Sequence, residues 1–269
     1  MHEPARSTQT RIRVAATMHH GRINPTQEDS MWLAGTVAQH LDMSPHEITA
    51  TDDCLLAIAD GVASSPQPAR ASRIAVTALG NGMTDHPEWS PDGLVATRHV
   101  RAAQAALCDA LARHQLAWGA CTTLVAAHLK GNRLAVVNSG DSRAYLVRTD
   151  GTVSRLSKDH TILQHLVDSG EADADIEYAS IYYALNDCLV ADHEFVDFAV
   201  HRETTTLHPG DRLILCSDGV HDVVDERRWF AMLTKESDPL EIVEMTRQTV
   251  LENGAPDNFS IIALCFQAT

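Results

Sequence analysis

Short runs of branched and apolar residues, bounded by glycine, asparagine and aspartate, recur along the chain and predict strands. They fall at Ile12–Thr17, Cys54–Ala59, Thr122–Leu129, Arg133–Asn138, Ala144–Val147, Phe195–Val200, Arg212–Cys216 and Asn258–Cys265. Gly131-Asn132 separates two of these runs, a two-residue hairpin signal, and Asp150-Gly151 within "SRAYLVRTDGTVSRL" repeats it. The centre of the chain therefore reads as an antiparallel meander. Helical spacing appears between the strand clusters. Ala69–Asn81 is alanine-rich and follows two prolines, and Pro91–His114 repeats apolar residues at Val100, Ala103, Leu107 and Leu111. Thr161–Asp168 predicts a short helix capped by Asp159 and stopped by Gly170. Glu226–Thr234 and Leu240–Glu252 predict two more, the last closed by Gly254, while Gly170–Asp192 has no period and predicts a loop. Strands in antiparallel clusters with helices between them imply an α+β fold, sheets packed on each other with helices outside. Apolar runs spread from Ile12 to Phe266 without an internal repeat, so one domain spanning residues 1–269 is expected.

Composition narrows the partners. Acidic residues outnumber basic ones 36 to 21, for a net charge of -15, which repels nucleic acid and anionic membrane surfaces. The excess keeps a protein soluble, and part of it has a second reading as carboxylates gathered around cations. The six cysteines form no C-x-x-C pair and four lie inside apolar runs, as in a reduced, cytoplasmic protein. No apolar run approaches the ~18 residues of a membrane helix. The opening "MHEPARSTQT" lacks the apolar stretch of a signal peptide.

The carboxylates at strand ends carry the chemistry. Glu28-Asp29 precedes "SMWLA", Asp60 ends a strand before Gly61, Asp141 follows "LAVVNSG", Asp218 ends a strand before Gly219, and Asp257 precedes "NFSIIAL". Singly, each is an ordinary turn residue. Together they are not, because neither Asp60-Gly61 nor Asp218-Gly219 leads into the return strand of a hairpin. Several carboxylates at the edge of one apolar core repel one another and are costly to desolvate. Hard divalent cations remove that cost, and the set reads as an oxygen-ligand, two-metal site.

In order along the chain, "QEDS", "ADGV", "GACTTLVAA", "VVNSGDSRAYL", "LSKDHT", "LILCSDGVHDVV" and "PDNFSIIAL" resemble the metal-dependent protein phosphatase family, type 2C, over Glu28 to Leu264. The resemblance implies a central β-sandwich of two antiparallel sheets flanked by helices. It implies two Mn²⁺ or Mg²⁺ ions bridged by Asp60. Asp218 and Asp257 would complete the first ion, Glu28 and the Gly61 carbonyl would serve the second, and Asp29 would hold metal-bound water. Asp141 with Asp218 matches a looser third metal position. Thr122 and Thr123 read as structural, Asn258 as fixing the turn that presents Asp257, and Arg143 as bracing the loop of Asp141.

The reaction so implied is hydrolysis of phosphoserine or phosphothreonine in proteins by a hydroxide bridging two metal ions, with no covalent intermediate. The sequence departs from the family in two places. Many relatives carry a histidine after the first Asp-Gly, a candidate general acid; here Val62 stands there, leaving a metal-bound water as the acid and His19 and His20 outside the chemistry. The family's phosphate-binding arginine is replaced by Asn24, and Arg22, two residues earlier, is its candidate substitute. Length, the absence of an anchor and Val62 resemble bacterial stand-alone members, expected to be monomeric and to oppose a Ser/Thr kinase. Gly170–Asp192 occupies the family's flap position, and its acidic "EADADIEY" suits basic residues beside a phosphosite. Two other functions fit the motifs: a phosphoprotein-binding pseudophosphatase and a metal-dependent hydrolase of small phosphoesters.

Overall fold

The computed structural model describes residues 11–85, 90, 93–113, 117–195 and 197–267. The first half runs β1 (Arg11–His19), β2 (Asp29–Leu33), β3 (Thr36–Ala38), β4 (Asp42–Thr51), β5 (Asp53–Asp60), α1 (Pro68–Asp85) and α2 (Leu94–Leu107). The meander follows as β6 (Cys121–Thr122), β7 (Leu124–Lys130), β8 (Arg133–Ser139), β9 (Arg143–Val147) and β10 (Val153–Arg155). Then come α3 (Ile162–Ser169), β11 (Leu189–Val190), β12 (His201–Thr206), β13 (Arg212–Cys216), α4 (Asp218–His221), α5 (Glu226–Lys235), α6 (Pro239–Glu252) and β14 (Phe259–Cys265). One six-stranded sheet has the order β10-β9-β13-β14-β1-β4 and the other β12-β8-β7-β5-β2-β3, with β11-β6 a small separate pair. Every ladder between these strands is antiparallel.

Three apolar layers hold the stack together. Val14, Met31, Leu56, Ile58, Leu215 and Ile262 fill the space between the sheets. Ala57, Leu79, Val100 and Leu107 seal the second sheet against α1 and α2, and Tyr145, Trp229, Ile242 and Phe259 seal the first against α5 and α6. β5 shows why its sequence does not alternate. Cys54, Leu56 and Ile58 face the opposite sheet while Leu55, Ala57 and Ala59 face the helices, so both faces are dry and every position is apolar.

Edge strands are where the pattern misleads. Among the described residues β4 pairs only with β1, and it is largely exposed, so its mostly polar sequence carried no strand signal. Phe195 and Asp197–Val200 are not strand, and Val196 lies outside the described residues: Phe198 packs into the α2 layer, and the edge strand is the polar His201–Thr206, paired with β8. Burial, which the apolar run reports, and hydrogen-bonded pairing, which makes the strand, have separated here. Asp159 does not cap α3. Thr161 does, accepting the Gln164 N–H at 3.2 Å, while Asp159 binds Arg143 at 2.6 Å. α2 starts at Leu94 and runs on into a π-helical turn, Cys108–Ala112. Met1–Thr10, and Pro91 and His114 at the limits of the expected second helix, lie outside the described residues.

Candidate active site

β5 delivers Asp60 to one end of the sandwich, directly across the ladder from Asp29 at the start of β2. β13 ends at Cys216, so Ser217 and Asp218 emerge beside them and α4 begins at Asp218. Asp257 comes from the turn before β14, and Asp141 from the connection in which β8 of one sheet hands over to β9 of the other. Ser217 stitches the two sheets together here. Its hydroxyl donates to Asp29 Oδ2 at 2.9 Å and accepts the Ser260 N–H at 3.0 Å.

These side chains form one electrostatic cluster. Asp29 has no solvent-exposed surface, and burial lifts its carboxyl to about 7, with the charges of Asp218 and Asp257 adding to the rise. Asp60 keeps some exposed surface at the mouth yet is packed round by protein. Burial, then Asp29 and Asp218, hold it well above the usual carboxylate range. Asp141 is lifted in the same way by burial and Asp218, and Asp257 by burial, Asp218 and Glu28. The charge of Asp218 thus acts on all four others. All six carboxylates expected from the motifs are therefore neighbours, with Asp29 innermost and Asp257 at the exposed rim.

The backbone around them is fixed by residues with no charge to advertise them. The Asp60 N–H donates to Thr123 Oγ1 at 3.1 Å, and the Asp60 carbonyl accepts from Thr122 Oγ1 and the Thr123 N–H, both at 2.8 Å. Thr122 and Thr123 are structural, as the strand position implied, but what they hold is Asp60. Asn258 has a wider reach than its own turn. Its side chain donates to the carbonyls of His20 at 2.8 Å and Thr26 at 3.0 Å and accepts the Glu28 N–H, pinning the loop that presents Glu28. Asn258→Ala leaves those part-buried groups without their side-chain partner and costs about 1–3 kcal/mol, read as a lowered denaturation midpoint.

Gly61 and Gly219 are required by close packing. A Cβ on Gly61 would overlap the Pro68 backbone at the start of α1, and one on Gly219 would overlap the Asn258 carbonyl. The glycine after each aspartate thus lets a helix close against the sheet end. His221, which the sequence did not single out, is buried and holds the Asp141 carbonyl through Nε2 at 3.1 Å. Arg143 braces this region indirectly, gripping Asp159 through Nη2 at 2.6 Å and Nε at 3.1 Å. Arg22 is not gathered in with the carboxylates; its guanidinium is exposed and donates to the Leu251 carbonyl at 3.1 Å. His19 and His20 stand apart too, their Nδ1 atoms engaged by the Gly21 N–H and the Leu41 carbonyl.

A model of the family Protein phosphatase 2C matches residues 39–252. The chain belongs to the protein phosphatase 2C family. The serine/threonine protein phosphatase PstP of Mycobacterium tuberculosis is 29% identical to it over 253 residues, 93% of this chain and 44% of PstP. The chain thus spans less than half the length of that relative. The crystal structure of Mycobacterium tuberculosis PstP/Ppp has a TM-score of 0.77 at 26% identity, covering 96% of this chain and 100% of the other. The catalytic domain of PstP in complex with two manganese ions follows at 0.74 and 26%, with the same coverage. Stp1 of Staphylococcus aureus shares the fold, at a TM-score of 0.79 and 18% identity over 100% of both chains.

The residues of this protein phosphatase 2C chain suit divalent cations. Among the described residues Asp29 Oδ1 and Asp218 Oδ1 are buried acceptors without a hydrogen-bond partner, a costly state that a cation relieves. The cluster supplies oxygen donors alone, the set preferred by Mg²⁺ and Mn²⁺. Among the described residues, no group of three or more His, Cys, Asp or Glu side chains is already arranged to hold a metal ion. Ions that retain several waters need only one or two carboxylates each, so an open, partly solvated cluster is what such ions use.

Proposed function

We propose that this chain is a metal-dependent phosphatase that hydrolyses phosphoserine and phosphothreonine in proteins. The observation that carries the reading is the carboxylate cluster, in which buried oxygens lack partners, Asp29 and Asp218 raise Asp60, and Asp218 and Asp257 raise Asp29. Asp60 would bridge two ions, Asp218 and Asp257 would serve one, and Glu28 and the Gly61 carbonyl the other. Asp29 would orient bound water, and Asp141 with Asp218 would offer a third, looser position. Once bound, Mn²⁺ or Mg²⁺ supplies Lewis acidity, activating water at neutral pH and neutralising phosphoryl oxygens.

The chain's own groups set the geometry for that chemistry. Thr122 and Thr123 prevent Asp60 from rotating away, Ser217 aims Asp29, and Asn258 accepts the Glu28 N–H and donates its own N–H to the Asp257 carboxylate. Val62 presents no proton to a leaving alkoxide. Arg22 is assigned to the substrate phosphate, which requires it to exchange the Leu251 carbonyl for a phosphoryl oxygen. The substrate is a phosphoprotein made by an opposing Ser/Thr kinase. Among the described residues no helix is long and apolar enough to cross a membrane.

Phosphate release from a phosphothreonine peptide tests the reading. The protein is expected to release phosphate with Mn²⁺ and to lose that activity in EDTA. A folded protein that binds Mn²⁺ and the peptide without turnover would instead be a phosphoprotein-binding pseudophosphatase. Activity confined to small phosphoesters would make it a general phosphoesterase.

A further inference from the structure

Two cysteines sit beside the strand that holds Asp60. Cys121 opens β6 and directly precedes Thr122 and Thr123, the two residues that fix the Asp60 backbone. Its own backbone is bound to the loop that leaves Asp60-Gly61. The Cys121 carbonyl accepts the Val62 N–H at 3.1 Å, and the Cys121 N–H donates to Ser65 Oγ at 3.0 Å. β6 pairs with β11 over two positions, Cys121 opposite Val190 and Thr122 opposite Leu189. Cys188 directly precedes β11, two positions from Val190, and the alternation of a strand puts it on the same face as Cys121.

The two thiols differ in the way a reactive pair does. Among the described residues Cys121 is the one cysteine that is not buried. Its sulfur donates to the Gly119 carbonyl at 2.9 Å, which fixes its position. The Cys188 thiol reaches Cys121 and donates to it. That bond, ahead of the opposing effect of burial and joined by Ser65, holds Cys121 below the ordinary thiol range, while the same bond and burial push Cys188 up. Cys54, Cys108, Cys216 and Cys265 are all raised by burial. A reachable, more acidic thiol beside a buried, protonated one is the arrangement of an oxidisable cysteine and its resolving cysteine.

Resting on the phosphatase reading above, we propose that Cys121 and Cys188 are a peroxide-oxidised dithiol, and that its closure to a disulfide displaces the strand holding Asp60 and lowers turnover. The Cys121 sulfur attacks one oxygen of hydrogen peroxide and the O–O bond breaks. The sulfur becomes a sulfenic acid, and the other oxygen leaves as hydroxide, which takes the Cys121 proton to form water. The Cys188 sulfur then attacks the sulfenic sulfur. An S–S bond forms, the S–O bond breaks, and the departing hydroxide takes the Cys188 proton as a second water. Two electrons pass from the two thiols to peroxide. Positions offset in this way on neighbouring strands stand about 7–8 Å apart between Cα atoms, and a disulfide holds them at about 4.4–6.8 Å, so closure shifts β11 and β6 by about 1 Å. A pair joined over two positions yields to that pull, and it carries with it Thr122 and the adjoining Thr123, which hold Asp60.

Mass spectrometry of the full chain, treated metal-free with about a tenfold excess of hydrogen peroxide, alkylated and digested without reduction, tests the site. The expected product is a cross-linked peptide pair joining Cys121 to Cys188, which dithiothreitol removes. With peroxide then cleared and Mn²⁺ added, turnover of a phosphothreonine peptide is expected to fall by about fivefold or more and to return in dithiothreitol. C121S forms no cross-link and keeps its turnover within about twofold after the same treatment. C188S leaves Cys121 as a sulfenic acid that dimedone labels. Free Cys121 and Cys188 thiols after peroxide, a cross-link through other cysteines, or an unlabelled C188S overturns the proposal. So does a cross-linked protein of unchanged turnover, or a loss of turnover that C121S shares. If unoxidised wild type has no turnover, the phosphatase reading falls separately and the Mn²⁺-induced rise in melting midpoint decides instead. That rise is expected to be smaller in the cross-linked protein by about 3 °C or more, and an equal rise overturns the proposal.

Discussion

Asp218→Asn slows turnover of a phosphothreonine peptide by on the order of 10³-fold or more in saturating Mn²⁺, and the protein still folds. The expectation follows from the place of Asp218 in the cluster. Its charge raises the carboxyls of Asp29, Asp60, Asp141 and Asp257, so it is the one acid that acts on all of them. The amide matches the carboxylate in shape but lacks its charge. Removing that charge also relieves repulsion within the metal-free cluster. The metal-free variant therefore melts at or above the wild-type temperature, and Mn²⁺ raises its midpoint less than it raises that of wild type. Differential scanning fluorimetry with and without Mn²⁺, beside the peptide assay, reads both effects. Turnover that survives the substitution would show that the metal assignment is wrong. A metal-free variant that melts well below wild type would make Asp218 a structural residue.

In EDTA, the raised carboxyls withdraw thermal stability as pH rises from about 4 towards 8, against the gain below 6.5 from His19, His128, His160 and His201, which burial lowers, and Mn²⁺ restores more at pH 8 than at pH 5. The sign comes from Asp29. Its carboxyl ionises near 7 in the folded chain against an ordinary value of 3.8, so between those values the folded state holds a proton that the unfolded state releases. A group raised in this way destabilises the fold progressively as pH climbs through the window, and its cost is complete above about 7. Asp60 and Asp141 are raised in the same direction and extend the decline. Cation binding needs these carboxylates ionised and compensates their repulsion, so it contributes most where they would otherwise repel. The Mn²⁺-induced rise in midpoint is expected to be larger at pH 8 by about 5 °C or more. Equal rises at both pH values would contradict a carboxylate metal site.

How far the chain could be read depended on what each residue type reports. Apolar runs report burial, so β5, β13 and β14, buried on both faces, were legible almost to the residue, as were the hairpin at Gly131-Asn132 and the helices that cover the sheets. β4 and β12 lie at sheet edges, bury little and pair through backbone groups that any residue possesses, so nothing in their side chains marked them. Asp159 looked like a helix cap because a cap and an ion-pair partner call for the same carboxylate. Only the position of Arg143 separates the two roles.

The site divides along the same line. Charge is written in the sequence, and carboxylates interrupting buried strand ends have few explanations other than cations. The aspartates and Glu28, the family they imply and the alternation of acids in the loop after α3 were therefore all present in the one-dimensional chain. Tertiary structure decided which neutral residues serve them. Thr122, Thr123, Ser217, Asn258 and His221 act through hydrogen bonds to groups up to 238 positions away, and a hydrogen bond depends on where two atoms meet in space. It decided too that Arg22 rests on the Leu251 carbonyl, and that Gly61 and Gly219 are needed where a helix backbone and the Asn258 carbonyl leave no room for a Cβ. Sequence alone determined the charges and the apolar layers because both are properties of single residues. The contacts that aim those charges belong to pairs of residues, and only the packing of the two sheets brings the pairs together.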